Sequence, residues 1–173
     1  AYDSGRGRVV LFGGLSGSTR LGDTWEWNGA AWTEKTFAPG VVKPSPRHSL
    51  AMVYDSGRGV VVLFGGSGGR ESDTWEYDGT AWTSRGATGG PPSRWGHAVA
   101  YDASRGLVVL FGGFDNQGTR LNDTWEWDGG SWIERTDLTP RPNPRAYASM
   151  AYDAKRRVIV LFGGNQVGPP QYC

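Results

Sequence analysis

The sequence predicts an all-β protein built from a repeated unit of about 50 residues. Two strings recur in a fixed register: Val-Leu-Phe-Gly-Gly starts at residues 10, 62, 109 and 160, and Asp-Thr-Trp-Glu starts at residues 23, 73 and 123. The 28 glycines indicate many turns, while a content of 13% aromatic residues supplies the apolar area that a folded core needs. No apolar i, i+3, i+4, i+7 pattern persists beyond one turn, so we expect almost no helix.

Each unit is expected to contain four short strands. The first ends in Tyr-Asp, as at 54–55, and a turn of the form Asp-x-x-Arg follows it. The second is a continuous apolar run, such as 107–111, which favours burial on both faces and ends at Gly-Gly. The third alternates polar and aromatic residues, as in 24–27. A tight turn such as Asn28-Gly29 then leads to a fourth strand that carries a tryptophan.

The composition excludes several classes of function. The 18 Lys and Arg balance 17 Asp and Glu, so the net charge of +1 provides no field that would attract nucleic acid or an anionic membrane surface. The chain has no apolar run of the roughly 18 residues that a membrane-spanning helix requires. With two histidines and a single cysteine, Cys173, a zinc site of the Cys/His type is not expected. The sequence therefore predicts no metal, no cofactor, no nucleic-acid partner and no membrane insertion.

The repeated residues resemble the kelch repeat. The resemblance lies in the Gly-Gly pair after the apolar strand, the aromatic residue of the third strand and the tryptophan of the fourth, and the spelling is similar to that of bacterial kelch proteins. The resemblance covers nearly the whole chain. One difference is the spacing from Trp27 to Trp32, which is one residue shorter than the equivalent spacing in many animal kelch units. The repeat markers are Gly13, Gly14, Gly65, Gly66, Gly112, Gly113, Gly163, Gly164, Trp25, Trp32, Trp75, Trp82, Trp125 and Trp132.

The resemblance implies that each unit is one blade of a β-propeller, a four-stranded antiparallel sheet beside a central channel. The units span approximately 1–46, 47–93 and 94–144, and 145–173 forms a half unit. A propeller usually has about 4–8 blades, so three and a half make an incomplete ring. We expect the chain to be a piece of a longer propeller, or copies of it to associate through open blade edges. Two copies would supply the 28 strands of seven blades, although the strand order would not match at the junction.

Three arginines are candidate ligand-binding residues. Arg47, Arg94 and Arg145 each precede the tyrosine of the first strand by seven residues. In kelch propellers the first strand is innermost, so these arginines would surround one mouth of the channel. Their guanidinium groups suit carboxylates or phosphates. The alternative is that each arginine pairs with an aspartate of a neighbouring blade, at position 23, 73 or 123.

The residues beside these arginines break the repeat. They include His48, Trp95, His97 and Tyr147. A cluster of Trp, His and Arg can stack on a sugar or bind an acidic peptide, so these four residues complete the candidate site. The alternative is a packed tryptophan beside a hydrogen-bonded histidine. The eight periodic tryptophans are expected to pack between blades, because their surroundings recur with the repeat.

These observations favour a non-catalytic interaction module that binds a protein or a glycan. One alternative is a structural subunit that self-associates through its blade edges. A second is a fragment of a propeller enzyme acting on glycans, because Glu26, Glu76 and Glu126 recur and could supply paired carboxylates. Their recurrence is also consistent with a solvent-facing strand position, and no nucleophile motif is recognisable. The resemblance implies an extracellular or cell-surface location, with a cytoplasmic one still open.

Overall fold

The computed structural model describes residues 1–68, 72–86 and 89–166, which form four antiparallel sheets in chain order. The first sheet contains β1 (Tyr2–Asp3), β2 (Arg8–Ser16), β3 (Thr19–Trp27) and β4 (Trp32–Glu34). The second contains β5 (Ala51–Asp55), β6 (Val60–Phe64), β7 (Thr74–Tyr77) and β8 (Trp82–Ser84). The third contains β9 (Ala98–Asp102), β10 (Leu107–Phe114), β11 (Arg120–Trp127) and β12 (Trp132–Glu134). The fourth contains β13 (Arg145–Asp153) and β14 (Val158–Gln166).

This arrangement confirms the predicted all-β fold of blade-like sheets. Three sheets have four strands in sequential order and one has two. The first strands of consecutive sheets, β1, β5, β9 and β13, lie next to one another. They are therefore the inner strands, and they line a cavity of about 430 Å³ whose wall includes the repeated tyrosines. Within the described part of the chain, no helix is long and apolar enough to cross a membrane.

The predicted Asp-x-x-Arg turns connect the first two strands of each sheet. In the second sheet, the Asp55 carboxylate accepts hydrogen bonds from the backbone N–H groups of Gly57 and Arg58, both at 3.0 Å. The Arg58 Nε also donates to Asp55 at 2.8 Å. Because the aspartate holds both the turn backbone and the arginine, the motif fixes the hairpin locally.

The Gly-Gly pairs differ from the prediction that they end the second strand. In β2, β10 and β14 the strand continues through the pair, whereas β6 ends before it. Gly13 has a φ of 64°, and the register of β2 against β3 shifts between Phe12 and Gly14. A Cβ on Gly13 would lie 2.5 Å from the backbone oxygen of Arg47. The pair is therefore a bulge where the next sheet approaches closely.

Tryptophans of the fourth strands join consecutive sheets. Trp82 meets Phe12 edge-on, with ring centres 5.2 Å apart, and its Nε1–H donates to the Thr24 hydroxyl at 3.0 Å. Trp132 repeats both contacts one sheet later, with Phe64 at 5.2 Å and the Thr74 hydroxyl at 2.8 Å. The prediction that the periodic tryptophans pack between blades is confirmed at these positions.

Trp32 departs from that pattern. Its side chain is 46% exposed, whereas Trp82 is 4% and Trp132 is 9% exposed. The physical reason is that the first sheet has no preceding sheet among the described residues against which Trp32 could pack. Trp32 is therefore exposed where Trp82 and Trp132 each pack against a phenylalanine of the preceding sheet.

Two of the three recurring glutamates, Glu26 and Glu76, are buried, which corrects the expectation of a solvent-facing position. Glu76 is 3% exposed and pairs with Arg58, and it also accepts hydrogen bonds from Arg85 at 2.7 Å and from the Trp127 indole at 3.3 Å. Glu26 occupies the same position one sheet earlier and accepts from the Tyr77 hydroxyl at 3.0 Å. The Glu26 and Glu76 carboxylates therefore join their own sheet to the next one, whereas Glu126 is half-buried and bonds to Arg105 and Arg135 of its own repeat unit.

Candidate functional site

The guanidinium groups of Arg47 and Arg94 are buried, each residue being 1% exposed. Arg47 binds the Asp73 carboxylate with both terminal nitrogens, at 2.6 and 2.9 Å. Arg94 binds Asp123 in the same way, with both distances at 2.7 Å. Neither guanidinium group is open to a ligand here, in contrast to the expectation of arginines exposed at a channel mouth.

Each of these aspartates lies in the sheet of its arginine, which corrects the pairing between neighbouring blades. Arg47 does connect two sheets, but through its backbone. Its side chain binds Asp73 of its own sheet, whereas its backbone N–H donates to the Leu21 oxygen of the preceding sheet at 3.0 Å. Burial alone would raise the pKa of Asp73, but hydrogen bonds from Arg47 and Trp75 bring it below its ordinary value. The pair is therefore ionised at neutral pH and structural.

Arg145 occupies the same repeat position without a carboxylate partner among the described residues. Its Nε donates to the Asn143 oxygen at 3.1 Å, and one terminal nitrogen donates to the Gly163 oxygen at 3.0 Å. The side chain is exposed to solvent at these contacts because its sheet has only two strands. Of the three predicted arginines, only Arg145 has a terminal guanidinium nitrogen with no partner among the described residues, and this nitrogen could donate to an anion.

The residues two positions after these arginines form a hydrogen-bonded series around the inner strands. Ser49, Gly96 and Tyr147 have left-handed φ values of 52°, 64° and 57°. The Gly96 N–H donates to the Ser49 oxygen at 2.8 Å, and the Tyr147 N–H donates to the Gly96 oxygen at 2.7 Å. A bulky residue in this backbone region costs conformational energy, so Tyr147 stands out among the three.

Trp95, Phe114 and Tyr147 form an aromatic cluster at this end of the sheets. The Trp95 and Phe114 rings stack with centres 4.3 Å apart, and Tyr147 meets each of them edge-on at 5.9 Å. Tyr147 is 57% exposed. The Arg120 guanidinium lies 4.9 Å from the centre of the Phe114 ring and donates to the Asn165 side chain at 2.9 Å. The cluster therefore presents aromatic surface beside a positive charge.

Trp95 and Tyr147 were expected at this site from the sequence, whereas Phe114 and Arg120 were not. Phe114 directly follows a Gly-Gly pair, where the other units have Leu15, Ser67 and Asn165. This departure from the repeat was a usable signal. It was missed because Phe114 and Trp95 are far apart in sequence, and only the bridge between them at the sheet end brings their rings together.

The two histidines lie outside the aromatic cluster. His97 is 6% exposed and packs edge-on against Phe64 at 5.6 Å, and its ring nitrogens have no hydrogen-bond partner among the described residues. The pKa of His97 is lowered to about 3, mainly by burial and to a smaller extent by the positive charge of Arg94, so the ring is neutral at pH 7. His48 is half-buried and contacts the Ser49 hydroxyl at 2.9 Å. The expected cluster of Trp, His and Arg is thus divided, with Trp95 half-exposed and Arg94 and His97 buried.

Comparison with known proteins adds one finding about the fold. No family model matches the sequence, and no curated protein matches it. A structure described as that of YjhT superposes with a TM-score of 0.69 over 91% of this chain, at 14% sequence identity. The likeness is one of fold. This chain spans 56% of the length of the YjhT chain, and at this identity the similarity to YjhT carries no information about ligands.

Proposed function

We propose that this protein is a non-catalytic binding module that recognises a protein or a glycan through the aromatic cluster. The observation that carries the proposal is Tyr147, a large side chain that is 57% exposed on a left-handed backbone and packed against Trp95 and Phe114. A strained backbone that holds an aromatic ring at the surface is typical of binding sites. The repeat does not require this ring, because Ser49 and Gly96 fill the equivalent positions.

The chemistry of the cluster suits a ligand with both an apolar face and a polar edge. The Trp95 and Tyr147 rings offer flat apolar surface for a sugar ring or an apolar side chain. Arg120 lies beside Phe114 and adds hydrogen-bond donors, and its buried Nε has no partner among the described residues. The proposal includes repeats of the kelch type and an extracellular or cell-surface location, which rest on the resemblance of the repeat markers.

The test is a glycan array together with a peptide-display screen on the intact protein, followed by calorimetric titration of the hits. We expect Tyr147→Ala to weaken a true ligand by about tenfold or more, because it removes most of the exposed ring surface. Tyr2→Ala is the matched control, because Tyr2 is 60% exposed and lies outside the cluster. Folded protein that yields no hit in either screen, or hits that bind Tyr147→Ala and Trp95→Ala normally, would contradict the proposal. Turnover of any glycan in a broad hydrolase assay would refute its non-catalytic part.

A second candidate function is self-association through the two end faces of the sheet series. Phe162 is 80% exposed and Trp32 is 46% exposed. They are the equivalents of Phe64 and Trp132, which pack together between consecutive sheets. Light scattering of the purified chain tests this function: a defined oligomer that Phe162→Ser converts to monomer supports it, and a monomeric chain at all concentrations excludes it.

A further inference from the structure

The outer edge of β14 has no neighbouring strand among the described residues. β13 pairs with β14 on one side only. In the other three sheets the second strand pairs on its outer side with a third strand that carries Thr-Trp-Glu, and an aspartate directly precedes this tripeptide. An edge of this length, nine residues, can add a strand from another polypeptide through backbone hydrogen bonds.

Arg145, at this edge, makes the same contacts with backbone oxygens as Arg47, which also binds a carboxylate. In the second sheet, Arg47 donates to the Ser45 and Gly65 oxygens and also to the Asp73 carboxylate. Arg145 donates to the equivalent oxygens, those of Asn143 and Gly163. The backbone half of the site is therefore formed in the fourth sheet, and the carboxylate is the part that is missing. This observation identifies the occupant as a strand that brings an aspartate.

The register of the occupant follows from the completed sheets. In the third sheet Phe111 lies opposite Thr124, and Leu110 lies opposite Trp125. By repeat position, Phe162 would lie opposite a threonine and Leu161 opposite a tryptophan, with the preceding aspartate beside Arg145. Phe162 is 80% exposed, so this part of the edge is accessible.

A groove between the third and fourth sheets provides room for a second strand of the occupant. It has a volume of about 350 Å³, and its wall includes Val109, Thr124, Glu126 and Ile159. The equivalents of Thr124 in the first and second sheets accept hydrogen bonds from the indole N–H groups of fourth-strand tryptophans. The groove therefore matches a tryptophan that follows the third strand across a tight turn.

We propose that the β14 edge binds a β-hairpin whose first strand carries Asp-Thr-Trp-Glu and whose second strand carries a tryptophan. The aspartate binds Arg145 with both oxygens, the first strand extends the sheet beyond β14, and the second tryptophan enters the groove beside Thr124. The hairpin site uses neither Trp95 nor Tyr147, so its failure is distinguishable from failure of the aromatic-cluster proposal, but it shares Phe162 with the candidate self-association.

The test uses a synthetic peptide with the sequence of residues 119–135, labelled with a fluorophore, and the full chain. Fluorescence anisotropy should show saturable binding, and hydrogen exchange should slow at the β14 amides when peptide is added. The peptide variant Asp123→Asn should bind about tenfold more weakly, because it loses a charge-assisted bidentate contact. Arg145→Gln in the chain should have a similar effect. Arg20→Gln is the control for charge, because Arg20 is exposed and lies in β3 of the first sheet, away from β14. Arg156 is unsuitable as a control, because it has the repeat position of Arg58, which pairs with a third-strand glutamate.

Three results would overturn the proposal. One is the absence of saturable binding to a chain whose circular dichroism shows intact β structure. Another is binding that neither Asp123→Asn in the peptide nor Arg145→Gln in the chain weakens, because the peptide would then be held elsewhere. Binding without slower exchange in β14 would likewise exclude strand addition.

Discussion

Replacing Arg94 with alanine should destabilise the protein far more than the same change at Arg145. The Arg94 side chain is 0% exposed and its partner Asp123 is 18% exposed. Its loss removes the bidentate contact and leaves the Gly112 and Pro92 oxygens without the donors they have now. Asp123 keeps the Trp125 indole N–H at 2.7 Å and some contact with water. We therefore expect a loss of about 3 kcal/mol, at the low end for breaking a buried pair.

Arg145→Ala is the matched control because it removes the same side chain from the same repeat position without breaking an ion pair. It should cost less than about 1 kcal/mol, since only two hydrogen bonds to carbonyl groups in an exposed setting are lost. Urea unfolding at pH 7, followed by both tryptophan fluorescence and circular dichroism, measures both values. For Arg94→Ala the melting temperature should fall by about 6–12 °C. Equal losses for the two variants, or a loss below about 1 kcal/mol for Arg94→Ala, would refute the reasoning.

Three further predictions concern residues where the sheets pack together, and two of them have a matched control variant. The pKa of His97 is lowered to about 3 in the folded chain, from an ordinary value of 6.5. Between these pH values the unfolded chain binds more protons than the folded chain, so the free energy of unfolding should fall as the pH drops through this window. His97→Gln should flatten this slope in urea titrations between pH 6.5 and 4.5, and an unchanged slope would contradict the assignment. Trp82→Phe should cost about 1–3 kcal/mol in the same assay, and Trp32→Phe less than about 0.5 kcal/mol, because only Trp82 is buried with a bonded indole. Gly13→Ala should lower the melting temperature much more than Gly7→Ala, since both have a φ of 64° but only Gly13 faces backbone at 2.5 Å; similar shifts would exclude a role for the close approach.

The elements that could be predicted from the sequence are those fixed by local chemistry. The hairpin turns were predictable because an aspartate and an arginine three residues later, such as Asp55 and Arg58, bind each other and the turn backbone. The apolar second strands were predictable because a continuous run such as that of β6 is buried on both faces. In these cases the partners lie within a few residues of each other, so the spacing carries the information.

The features that could not be predicted from the sequence depend on how the sheets pack against one another. Glu76 has the pattern of a solvent-facing strand residue, and only the next sheet, through Trp127, makes it buried. The Arg47–Asp73 pair was expected between neighbouring blades, whereas both residues lie at the same end of one sheet. Phe114 was missed because its partner Trp95 enters from a different loop. Such contacts follow from register and from the stacking of sheets, which the sequence alone does not specify.

The two ends of the sheet series carry opposite halves of one ion pair. In the first sheet Asp23 binds the Trp25 indole with one oxygen, and its other oxygen is buried without a partner among the described residues. In the fourth sheet Arg145 has its backbone contacts but no carboxylate. An ion pair of this kind forms within one sheet, as between Arg47 and Asp73, so stacking of two sheet ends does not by itself join Asp23 to Arg145. Stacking of unlike ends brings Trp32 of one copy against Phe162 of another, as Trp132 meets Phe64. The self-association proposed above is therefore expected to be head-to-tail, and such a heterologous contact gives a closed ring or a filament rather than a two-fold pair of equal faces.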